Sequence, residues 1–215
     1  MKGRSFAGCG GVDRKSHWER IYETRQPTGV SWYQPRLLRS LELILACAPP
    51  LGARMIDVGG GASTLVDDLL TLGFHKLAVL DISRAAIAGA RARLGPRADT
   101  VQWIEADVTQ AVLPACGFDL WHDRAVFHFL TQAEDRNRYR GLLAGTLAPG
   151  GHAVIATFGP GGPERCSGLE IVRYDLPGLA RELGPAFETV EGRTETHRTP
   201  SGTPQEFVYG LFRRR

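Results

Sequence analysis

Arg54-Met55-Ile56-Asp57-Val58-Gly59-Gly60-Gly61-Ala62-Ser63-Thr64 is the stretch on which the fold turns. Its short apolar run (Met55, Ile56, Val58) ends in glycines and reads as a buried strand leaving its sheet. Ser63 follows as an expected helix N-cap, and Leu65, Val66, Leu69, Leu70 and Leu72 recur at helical spacing. Gly73 closes that helix in the left-handed conformation that glycine adopts cheaply. Strand, glycine turn and helix make the first half of a βαβ unit, and in open α/β sheets ligands sit at the carboxyl end of such a strand. Three consecutive glycines surrender much chain entropy on folding, which a ligand approaching the backbone would explain.

The spacing narrows the ligand. A dinucleotide fingerprint wants G-x-G-x-x-G/A, whereas Gly59 and Gly61 are followed by Thr64 at the third small position. Asp57, two residues before Gly59, instead resembles the Asp/Glu-x-Gly-x-Gly motif of class I S-adenosylmethionine-dependent methyltransferases, with Ser63 where that motif usually has another glycine. The resemblance implies that Gly59, Gly60, Gly61 and Ser63 cradle S-adenosylmethionine (product S-adenosylhomocysteine), and that Asp57 helps receive its ammonium.

The surrounding composition bounds the problem. The 215 residues suit one domain with a full core, and Lys+Arg 26 against Asp+Glu 23 gives +3, too balanced to point to nucleic acid. The apolar run from Leu41 to Pro50 is too short to span a bilayer and is broken by Glu42. No apolar segment of signal-peptide length opens the chain. Cys9, Cys47, Cys116 and Cys166 show no paired metal spacing, so no metal is expected, and their scatter suits a reducing, cytoplasmic location.

Two parts are expected: an arm over residues 1–34 and the main domain over 35–215. Met1 to Ser16 reads as polar and glycine-containing. Trp18 and Tyr22 (i, i+4) read as one face of a helix packing on the sheet, whereas Trp32 and Tyr33 lie in a Gly/Pro-flanked loop, where exposed aromatics more often bind something. The set resembles the W-x-x-x-Y … W-Y element of methyltransferases whose arm folds over the cofactor, among them small-molecule thiol and some protein-lysine methyltransferases.

Pro35 opens an expected helix ended by Pro49-Pro50. Lys76 to Ile82 reads as a second buried strand ending at Asp81, and Ser83 caps the next helix. An acid about 20 positions past the glycines is placed to accept both hydroxyls of a ribose, which makes Asp81, Ile82 and Ser83 candidate cofactor residues. Val101 to Val108 reads as a third strand; in the resembled family an acid there lies beside the adenine, a role that Asp107 and Val108 fit. Phe118 to Arg124 is the fourth strand, and Thr131-Gln132-Ala133-Glu134 reads as a capping box. Gly151 to Phe158 is the fifth strand, the loop 159–168 is too rich in Gly and Pro for regular structure, and Phe187–Arg198 with Gln205–Phe212 reads as an antiparallel hairpin. This order matches a Rossmann-like, doubly wound α/β fold with a seven-stranded, mostly parallel sheet.

Methyl transfer from a sulfonium is an in-line displacement, so the protein must hold a nucleophile about 3–3.5 Å from the methyl carbon and exclude water. The transfer site is expected at the end of the fourth strand. There Asp123-Arg124-Ala125-Val126-Phe127 resembles the D-R-G/A-A-L segment of thiopurine-type S-methyltransferases, and the lysine methyltransferases have a comparable D-K-G; the resemblance puts Asp123 and Arg124 beside substrate or cofactor. His122 and His128 read as sheet and core residues, and Arg165 beside Cys166 as part of a solvated lid. The expected function is methylation of a small-molecule acceptor with a soft or easily deprotonated nucleophile. A protein-lysine acceptor is the alternative, which Arg124 and Arg165 oppose because lysine must first lose its proton. An NAD-dependent oxidoreductase is more remote: the only lysines are Lys2, Lys15 and Lys76, so no Tyr-x-x-x-Lys pair exists.

Overall fold

The computed structural model describes residues 13–215; Cys9 and the first twelve residues of the expected arm lie outside the described residues. Seven strands form one sheet in the order β3-β2-β1-β4-β5-β9-β8. Strands β1 (Arg54–Val58), β2 (Lys76–Asp81), β3 (Val101–Glu105), β4 (Phe118–Arg124) and β5 (Leu147–Phe158) run parallel. β9 (Pro204–Arg214) is antiparallel to β5 and carries β8 (Phe187–Arg198) on its outer edge. The doubly wound sheet therefore stands as the apolar runs foretold.

Both faces are covered, which is why the inner strands read as continuous apolar runs. One face packs on α2 (Leu38–Ala46) and α3 (Leu65–Thr71) through Leu41, Ile44, Leu65 and Leu69. The other packs on α5 (Ala133–Thr146) and α6 (Leu176–Leu183) through Tyr139, Leu143, Leu179 and Leu183. The chain winds outward in both directions from β1 and β4, so a crevice opens where their carboxyl ends diverge. Helix α1 (Arg14–Thr24) and the loop to Leu37 cross that end, and α1 packs on α4 (Arg84–Leu94).

Several local expectations are corrected. Gly60–Ala62 forms a 3-10 turn and α3 starts only at Leu65, so Ser63 does not cap it in the usual way; its Oγ accepts from Leu65 N–H. Helix α2 starts at Leu38, three residues past Pro35. β3 stops at Glu105, because Asp107 turns the chain by accepting from Thr109 N–H. The capping box is not made: Gln132 precedes α5 without a side-chain bond, and Glu134 pairs with Arg138. β5 begins at Leu147, directly after α5, and the expected irregular loop holds a two-residue hairpin, β6 (Arg165–Cys166) and β7 (Leu169–Glu170). Among the described residues no helix is long and apolar enough to cross a membrane.

Candidate active site

The glycine turn is shaped by two carboxylates. Gly59 has φ +70°, and a Cβ there would collide with Val126; one on Gly60 would collide with Asp57 Oδ2. Gly61 N–H donates to Asp81 Oδ2 at 2.9 Å, and a Cβ would sit 2.8 Å from that oxygen. Each glycine thus admits a specific neighbour at closer range than any side chain allows.

Asp81 ends β2 fully buried. Its Oδ1 accepts from Ser83 N–H at 2.8 Å, and burial pushes its carboxyl up to about 6, aided by the nearby charges of Asp57 and Glu19. Ser83 caps α4, accepting from Ala86 N–H, and donates to Glu19 of α1. Asp57 ends β1 at 5% exposure; Oδ1 is 2.6 Å from His122 Nδ1, while Oδ2 is buried without a partner.

Two cavities open at this end of the sheet. The larger, about 750 Å³, runs past Val58, Asp81, Ile82, Asp107 and Val108 and is roofed by Trp18, Tyr22 and Trp32. The smaller, about 430 Å³, is bounded by Asp57, Ser63, Tyr33 and His122. Trp32, Gly59 and Arg124 line both.

Arg124 is buried and held on three sides. Its Nε donates to Tyr209 Oη at 2.9 Å, one terminal nitrogen donates to the Trp32 carbonyl at 2.8 Å, and the guanidinium stacks 4.3 Å over Phe207. Its other terminal nitrogen is buried and unpartnered. No carboxylate among the described residues pairs with it directly; Tyr209 relays to Glu195 through its own hydroxyl.

Asp123 stands apart. It is fully buried, accepts from Tyr139 O–H at 2.6 Å and from Val126 and Phe127 N–H, and borders neither cavity. Burial raises its carboxyl to about 6. Adjacent strand residues point to opposite faces, so Arg124 reaches the crevice and Asp123 the α5 side. The structure therefore does not bring Asp123 to the two cavities that Arg124 lines; its carboxylate instead holds the backbone of the loop that follows β4.

Trp18 and Tyr22, read as sheet-packing residues, line the larger cavity, with Trp18 edge-on to Trp32 and Phe129. Their i, i+4 spacing gave the helix face but not what it covers. Cys166 also borders this cavity; burial pushes its thiol up, and Arg165 is turned outward to donate to the Gly168 carbonyl. His128 is fully buried, accepts from Phe158 N–H and is held down to about 3 by burial, hence neutral.

Residues 55–151 match the family model described as "Methyltransferase domain". An uncharacterized methyltransferase of Mycobacterium tuberculosis is 30% identical over 118 residues, covering 54% of this chain and 57% of that protein. The eEF1A lysine and N-terminal methyltransferase of Mus musculus is 24% identical over 119 residues, which are 55% of this chain and 17% of that protein. Among solved structures, Burkholderia thailandensis 1,6-didemethyltoxoflavin-N1-methyltransferase, with bound 1,6-didemethyltoxoflavin and S-adenosylhomocysteine, superposes with a TM-score of 0.70 at 18% identity. That superposition covers 93% of this chain and 86% of that one. The chain spans about half the length of the mycobacterial relative and under a fifth of the murine one. Residues 55–151 thus match a methyltransferase domain, and the seven-stranded sheet is the fold of the class I, Rossmann-like S-adenosylmethionine-dependent methyltransferases. The dinucleotide reading of Asp81 falls away with that assignment.

Proposed function

We propose that the chain methylates a small-molecule acceptor bearing a soft or easily deprotonated nucleophile. When bound, S-adenosylmethionine supplies an electrophilic methyl group. The residues present fit that cofactor: the orphaned oxygen of Asp57, buried beside Gly60, is the partner an ammonium requires. Gly59, Gly60, Gly61 and Ser63 surround the amino-acid end. Asp81 takes the ribose hydroxyls, with Ile82 beside it and Ser83 fixing the carboxylate. Asp107 and Val108 border the adenine, and Trp32 and Tyr33 close over the whole.

The observation that carries the acceptor class is Arg124. A buried guanidinium with one unpartnered nitrogen, in a wall common to both cavities, favours an anionic group there. A thiolate or another acidic acceptor is drawn in and kept deprotonated, with no further base required. Trp18, Trp32 and Phe129 exclude water from the transfer.

A protein-lysine acceptor is the second reading, favoured by the local similarity to the murine eEF1A lysine and N-terminal methyltransferase. Arg124 opposes it, since a lysine enters as a cation and must shed its proton. The experiment is incubation with methyl-labelled cofactor and cell extract, separated into small-molecule and protein fractions. Label in the small-molecule fraction that disappears with Arg124→Gln supports the proposal; label confined to protein overturns it.

A further inference from the structure

A second set of groups runs back from Asp57 and His122 in the wall of the smaller cavity to Ser40, which lines neither cavity. The parallel register sets Asp57 of β1 opposite His122 of β4, so both side chains stand on the α2 face of the sheet. His122 Nδ1 meets Asp57 Oδ1 at 2.6 Å, and His122 Nε2 meets the hydroxyl of Ser40, on α2, at 2.8 Å. Serine, imidazole and carboxylate in this order have the connectivity of a nucleophilic triad, but the exposures of 0%, 1% and 5% leave Ser40 nothing to attack. The chain of bonds has a single open valence, at its other end: Asp57 Oδ2, buried, unpartnered and pressed against Gly60.

A carboxylate can only accept, so Nδ1 carries the proton facing Asp57 whatever Ser40 does at Nε2. One Asp57 oxygen is thereby pinned in the sheet, while the other is turned to the glycine loop. We infer that His122 is a positioning residue, with Ser40 behind it: the relay fixes the direction of Asp57 so that Oδ2 receives the amino-acid end of the cofactor. Without the relay the carboxylate keeps no protein partner at all, and nothing holds its direction. The inference rests on the cofactor reading above, and its effect is specific: it acts on the part of the ligand that bears the ammonium and leaves the adenosine untouched.

The test compares S-adenosylhomocysteine with 5′-methylthioadenosine, which has the same nucleoside and sulfur but no amino-acid end. Both are titrated calorimetrically into the wild type, His122→Leu, His122→Asn and Ser40→Ala. Removing a charge-assisted bond of this kind predicts that His122→Leu weakens S-adenosylhomocysteine by at least about tenfold and Ser40→Ala by about threefold. His122→Asn, whose amide nitrogen takes the place of Nδ1, restores binding to near wild type. Affinity for 5′-methylthioadenosine stays level throughout. Parallel weakening of both ligands makes His122 a structural residue only and overturns the relay, as does an unaltered affinity for S-adenosylhomocysteine in His122→Leu. Should His122→Leu fail to fold, Ser40→Ala decides: the two ligands must still separate. A wild type that binds neither ligand overturns the cofactor reading and the relay together, whereas binding with parallel losses overturns the relay alone.

Discussion

Glu19 and Ser83 join the covering helix to the cofactor side of the sheet: the Ser83 hydroxyl donates to Glu19 Oε2 at 2.7 Å, and Ala85 N–H donates to Oε1 at 3.1 Å. The carboxylate of α1 thus sits on the N-terminus of α4, where the helix dipole favours it. Arg14 adds ion pairs to Asp107 and Asp135, and Lys15 one to Glu105. These outer pairs are partly exposed and contribute little each, so Glu19 is the main latch. Glu19→Ala should speed release of S-adenosylhomocysteine several-fold, read by stopped-flow fluorescence of Trp18 and Trp32. An unchanged off-rate would show that α1 is no cover.

Asp81 gives a pH dependence with two opposite signs. Its carboxyl is raised from 3.8 to about 6 by burial, so its protonated form stabilises the ligand-free fold. That stabilisation is complete below 3.8 and is lost as pH rises through about 6. Ligand binding should run the other way, because the ionised form is the one suited to accept both ribose hydroxyls. Affinity for S-adenosylhomocysteine should hold at neutral pH and drop below about 6. Asp81→Ala should lose about 1–3 kcal/mol of binding at neutral pH. The drop should flatten in Asp81→Asn; an identical pH profile in that variant would remove Asp81 from the ribose site.

Asp123 and Tyr139 should affect stability rather than binding. Trp121 donates to Tyr139, which donates to Asp123, which holds the backbone of Val126 and Phe127. Tyr139→Phe should lower unfolding stability in urea by about 1–2 kcal/mol, and Asp123→Ala by more, since it orphans several buried donors. Affinity for S-adenosylhomocysteine should barely move. Loss of turnover in Asp123→Asn at full stability and full cofactor affinity would return Asp123 to the chemistry.

The glycine turn allows a rescue experiment. Gly59→Ala meets a left-handed backbone and the Val126 side chain at once. Adding Val126→Ala removes the collision and leaves only the backbone term of about 1–2 kcal/mol. The double variant should therefore be more stable than Gly59→Ala alone by thermal melting. If the second substitution recovers nothing, the contact between the turn and the loop after β4 is not what makes glycine necessary.

The succession of strands and helices and the carboxylates at or next to the ends of β1 and β2 are legible because they rest on local patterns: apolar runs, turn glycines and helix spacing. Trp18 and Tyr22 were placed on a helix correctly but against the wrong surface, since a face read from periodicity does not say what the chain folds back over. Asp123 neighbours Arg124 in sequence but lies across the sheet from it, a one-step difference of strand parity that the motif by itself does not show. His122 read as filler, because its link to Asp57 depends on the pairing of β1 with β4, 65 residues apart. The capping box at Thr131 failed because Arg136 donates to the Leu130 and Thr131 carbonyls and sets the entry to α5 itself.

The bond from Arg124 to the Trp32 carbonyl makes the acceptor pocket depend on the closed arm. A cofactor exchange that lifted the arm would take that carbonyl away and free the guanidinium, leaving the acceptor no formed place to go. Such a dependence predicts a compulsory sequence: donor loads first, acceptor second, methylated product departs, and the spent donor leaves last. Spent donor should accordingly compete with fresh donor and act non-competitively toward acceptor, a pattern that initial-rate inhibition plots read directly.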